Sequence, residues 1–82
     1  MPLRKHWQTL DRSTVASAPE RYGVYELGDE DGNILAVEWG VLRDELKEVL
    51  AYRDASQVRW DVAEHREHAK ELAERHRRSS AE

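Results

Sequence analysis

At 82 residues, with a net charge of −4 and 37% charged side chains, the chain is long enough for one small domain. The absence of cysteine excludes disulfides and thiolate metal sites. The negative balance disfavours a strong non-specific nucleic-acid binder, which carries a net basic field.

The first residues lack the apolar core of a signal peptide. No apolar run approaches the roughly 20 residues that span a bilayer. The expectation is a soluble, cytoplasmic protein whose core is built from aliphatic side chains, three Trp and three Tyr. Residues 7–76 form the expected ordered core, and 77–82, ending in "RRSSAE", a flexible tail with nothing to bury.

In chain order, Trp7 and Leu10 are expected to fold back onto the core. Ser13 or Thr14 can cap a single helical turn that ends before Pro19, because a proline disfavours helix at the residue preceding it. Residues 22–27, "YGVYEL", are strand-formers by type. "GDEDGN" supplies a hairpin loop in which Asp31-Gly32 can take positive φ. Residues 33–38 return as a second strand, which Trp39-Gly40 should break. Residues 41–53 place Leu42, Leu46, Val49 and Leu50 at helical spacing, with Arg43, Asp44, Lys47 and Glu48 on the other face. Residues 57–63 alternate Val58, Trp60 and Val62 against Arg59 and Asp61, the pattern of a strand with one buried face. A last helix from about Glu64 carries a narrow stripe of Ala69, Leu72, Ala73 and His76.

The order is β-β-α-β-α. Short connections predict an α+β fold: a three-stranded antiparallel sheet with the first strand central and two main helices covering it. Val58, Trp60 and Val62 should share a buried face with Leu46, Val49, Leu50 and Leu72.

Gly23-Val24-Tyr25 on the first strand, the Pro-x-x-x-Gly-Val-Tyr lead-in from Pro19, the hairpin, "VLRDEL" on the first helix, "VRWDVA" and the final helix together resemble the GIY-YIG nuclease superfamily. The resemblance runs from about Pro19 to Arg77. It implies metal-assisted phosphodiester hydrolysis, in which two strand tyrosines activate water, a helix arginine stabilises phosphate charge and a glutamate on the last helix binds the metal. On this chain the first tyrosine matches Tyr25 and the metal acid matches Glu74. The second motif falls at Ala36-Val37-Glu38, so Ala36 stands where a hydroxyl belongs. Glu45 stands where the arginine belongs, and Arg43 lies too far around the helix to replace it.

Each candidate residue also has a plainer reading. Tyr25 is a vestigial catalytic group or a tyrosine packed at the sheet, and Glu74 is a metal ligand or an exposed helix acid. His65 and His68, three apart with His76 further on, could share a zinc ion, but no third ligand accompanies them and exposed histidines fit equally. Arg75, Arg77 and Arg78 could touch a binding partner or phosphates, or simply complement the helix dipole among interleaved glutamates. Trp39 would fill the former groove or act as a docking point.

The reading is a catalytically degenerate GIY-YIG-like domain without a cofactor, a binding or protein-interaction module whose expected partner is a protein or a second copy of itself, with nucleic acid less favoured by the net charge. The alternative is an atypical Mg²⁺-dependent endonuclease using Tyr25, Arg43 and Glu74.

Overall fold

The structure, a computed structural model, describes the backbone of residues 6–80 and the side chains of residues 6–77. Its elements are β1 (Gln8–Thr9), α1 (Arg12–Ser17), β2 (Tyr22–Gly28), β3 (Ile34–Val41), α2 (Leu42–Tyr52), β4 (Gln57–Val62) and α3 (Arg66–Ser80). The fold is α+β, as expected. The sheet has four strands, however, all antiparallel and ordered β1-β4-β2-β3. The additional strand, β1, is a two-residue pairing of Gln8 and Thr9 with Val58 and Gln57. A segment so short has no alternation to read, which is why the sequence does not announce it.

Asp11, rather than Ser13 or Thr14, caps α1, its Oδ1 accepting the Thr14 N–H at 2.8 Å. These bonds hold the Asp11 carboxyl below its ordinary range. The helix ends at Ala18, which turns extended ahead of Pro19. The hairpin loop is organised by Asp29. Its carboxylate accepts the backbone N–H groups of Asp31 and Asn33 and the Asn33 side-chain amide. Gly32 supplies the positive φ, +82°. A bulge between Leu27 and Gly28 leaves Leu35 exposed.

β3 does not break at Trp39-Gly40. It continues to Val41, because glycine tolerates the φ of +155° found at position 40. α2 follows without a loop. No side chain caps it; its first N–H groups bond instead to backbone, Leu42 to the Arg21 carbonyl and Arg43 to that of Pro19.

The alternation of each strand distributes its residues over two covered faces. Tyr25, Leu27, Val58, Trp60 and Val62 pack with Val15 and Ala18 near α1 and with Leu42, Leu46, Val49 and Leu50 of α2. On the other face Val24, Val37, Ile34 and Trp39 pack with Leu72 and Ala73 of α3. Leu72 therefore does not join the Val58 face, as the sequence pattern had it. The two main helices lie on opposite sides of the sheet, and periodicity within a helix cannot say which side it covers.

Arg59 is not on a solvated face either. It bonds Glu26, whose side chain is fully buried, at 2.6 Å, and its guanidinium lies 4.1 Å from the Trp7 ring centroid. α3 runs through Ser80 and so extends into the segment expected to be a tail. Among the described residues no helix is long and apolar enough to cross a membrane.

Candidate functional site

Tyr25 lies at the centre of the sheet, with Glu38 directly opposite it on β3 and Trp60 on β4. Its hydroxyl donates to Oε1 of Glu45, on the first turn of α2, at 3.1 Å. Gly40 makes this meeting possible. A Cβ there would stand 2.6 Å from the Glu45 side chain, so only glycine leaves room for the carboxylate to reach Tyr25. The pair opens into a pocket of about 210 Å³ lined also by Glu38, Glu48, Val49, Tyr52 and Arg53.

Burial, then the charge of Glu45 and its hydrogen bond, then Glu38, push the Tyr25 phenol well above its ordinary range, against a small opposing effect of Arg53. The group is thus a neutral donor already committed to a carboxylate. Glu45 and Glu48, with Glu38 already paired to Arg77, outnumber Arg53 and give the walls an acidic excess that draws cations and repels phosphate.

The other expected site residues are dispersed. Arg43 donates from Nε to the Ala18 carbonyl at 3.0 Å and pairs with Glu20 at 2.7 Å, tying α2 to the end of α1. Glu74 is exposed on α3, the helix that covers the face opposite Tyr25. Ala36 stands across from Leu27, against the α2-side core, and the β3 residue beside Tyr25 is Glu38.

Trp39 does not fill a groove at Tyr25. The pleat turns it to the α3 face, where it packs with that core and lies under the Arg66 guanidinium, 5.1 Å from the ring centroid. Arg75 is exposed. Arg77 donates from Nε to the Val37 carbonyl at 2.8 Å and pairs with Glu38 at 3.0 Å. The Arg78 side chain lies outside the described residues.

His65 and His68 each accept a backbone N–H at Nδ1, while His76 is half-buried further along α3. Among the described residues no group of three or more His, Asp or Glu is placed to hold a metal ion.

Sequence reasoning overlooked Glu48, Tyr52 and Arg53, and it treated Glu45 only as a misfit. The signal was present, since Glu45, Glu48, Val49 and Tyr52 follow the spacing of one helix face. Which strand residue that face would meet could not be read from it.

Compared with known proteins, the chain belongs to the family described as a domain of unknown function, DUF7508, whose model matches residues 1–79. No curated protein and no solved structure matches it.

Proposed function

We propose that this DUF7508 chain is a catalytically degenerate GIY-YIG-like domain that acts in the cytoplasm as a protein-interaction module, with the pocket beside Tyr25 as its contact site. The observation that carries the reading is the hydrogen bond from Tyr25 to Glu45. A nuclease of this type needs its tyrosine free to orient water and a cation to stabilise phosphate charge. Here the hydroxyl is occupied by an acid, and Glu38 and Glu48 stand beside it. The same walls suit a basic side chain from a partner, with Tyr52, 87% exposed, at the rim.

Two measurements on the full chain test this. In an NMR titration, an arginine- and lysine-containing peptide should shift the amides around Tyr25, Glu45 and Glu48, and Glu45→Gln should weaken the response. A DNA or RNA oligonucleotide should produce no shifts there. In parallel, incubation of plasmid and oligonucleotides with Mg²⁺ or Mn²⁺ should give no cleavage. Metal-dependent cutting that disappears in both Tyr25→Phe and Glu74→Gln would establish the endonuclease reading instead.

A further inference from the structure

The first turn of α3 is closed by two histidines, each accepting a backbone N–H at Nδ1. His65 precedes the helix, and its Nδ1 accepts the His68 N–H at 3.2 Å. The Nδ1 of His68 in turn reaches back to accept the Glu64 N–H at 2.9 Å, and the two rings lie 6.1 Å apart. The first bond is that of a capping box, in which a Ser or Thr before the helix and a Glu or Gln three residues later normally provide the acceptors; the return bond differs, reaching the N–H of Glu64, one residue before the cap. Here both acceptors are imidazole nitrogens.

We propose that this histidine pair makes the start of α3 a proton-operated latch, closed when both rings are neutral and opened when they take up protons. A neutral imidazole accepts at Nδ1 only when its proton sits on Nε2. Protonation places a donor on each nitrogen, so an N–H would face an N–H at both bonds. It also adds positive charge at the helix end where the dipole is already positive. Imidazoles change charge between about pH 5 and 8, a range in which serine and glutamate caps hardly respond.

The charged neighbours do not replace the lost bonds. Arg66 and Glu67 of the same turn pair with each other at 3.1 Å. Glu64 contributes the N–H that His68 accepts. From β4, the Asp61 carboxylate accepts the Val62 N–H. On the neighbouring strands, the Tyr22 carbonyl of β2 accepts the Ala63 N–H, and Trp39 of β3 lies under the Arg66 guanidinium. Among the described residues neither ring is ion-paired with a carboxylate.

Opening the turn has a consequence beyond the cap. Arg66, whose guanidinium covers the Trp39 ring, belongs to the same turn, so acid would uncover an indole at the end of the α3 face.

The test uses the full chain and the variant H65S/H68E, which restores the usual acceptors. Long-range ¹H–¹⁵N spectra at pH 7.5 should show both wild-type rings with the proton on Nε2. Amide exchange at Glu64 and residue 68, corrected for intrinsic rates, should report about fivefold more opening at pH 5.0 than at pH 7.5 in the wild type, the equivalent of losing one N-cap interaction. In H65S/H68E the two values should agree within about twofold. A proton on Nδ1 of either ring, or an equal acid response in wild type and variant, would overturn the proposal. The tautomer measurement needs no variant and stands even if H65S/H68E folds poorly.

Discussion

Two side chains in the sheet centre show how a polar group is tolerated under a helix. Tyr25 retains its proton because burial and Glu45 both oppose the phenolate. A phenol raised above its unfolded value near 10 contributes stability that is complete below that pH and is lost as pH rises further. An ultraviolet titration should leave one phenol protonated beyond that range, and Tyr25→Phe should abolish the late step. The same substitution removes a hydrogen bond to a charged acceptor and should cost about 1.5–3 kcal/mol in urea unfolding.

Glu26 and Arg59 carry a larger consequence on the opposite face. Arg59→Met would leave a fully buried carboxylate without its guanidinium, and a loss of about 3–5 kcal/mol is expected from denaturant midpoints. The sequence pattern shows Arg59 alternating away from Val58 and Trp60, but alternation identifies faces and not what covers them. The Trp7 ring over its guanidinium and the buried Glu26 beside it turned a residue expected in solvent into a largely buried partner.

Between elements, the junction of β3 and α2 does the positioning. With no loop between them, the placement of Glu45 follows from where β3 ends and how closely the first turn of α2 approaches it. Gly40 is the point of contact. Gly40→Ala would meet the Glu45 side chain and strain a backbone at φ +155°, so it should cost more than about 1 kcal/mol and break the Tyr25 bond. Thermal unfolding should read the loss as a fall in Tm of several degrees, and the Tyr25 titration step should move towards ordinary values. Trp39-Gly40 looked like a strand break because glycine and a strand end are usually associated. Here the glycine continues the strand close to a helix, a role that depends on Glu45 in the first turn of α2.

At the scale of the whole molecule, the sheet ends in one short strand, β1, and one long strand, β3. A long edge presents unpaired backbone groups to other chains. Arg77, from the far end of α3, occupies one of them by donating to the Val37 carbonyl, and Glu38 holds the guanidinium in place. Arg77→Ala should free that edge. Sedimentation velocity is expected to show increased self-association in the variant, with little change in Tm, since the side chain is half exposed. Unaltered sedimentation would mean that the bulge and the exposed Glu30 and Asp31 of the adjoining loop already keep the edge apart from other copies.

By itself the sequence determined the hairpin and the main strands and helices, though not β1 or the end of β3, because strand alternation, helical spacing, Asp-Gly chemistry and proline restrictions act within a few residues. It also determined that Tyr25 and Glu45 bear on one reading of the chain. Only the tertiary structure decided that α2 and α3 lie on opposite faces, that Glu38 rather than Ala36 stands beside Tyr25, and that Arg43 and Glu74 are held apart from the tyrosine. Those facts follow from strand register and from which face each helix covers. A one-residue shift in register reverses every side chain of a strand, and a helix stripe fits either side of a sheet equally well until the packing of the whole chain selects one.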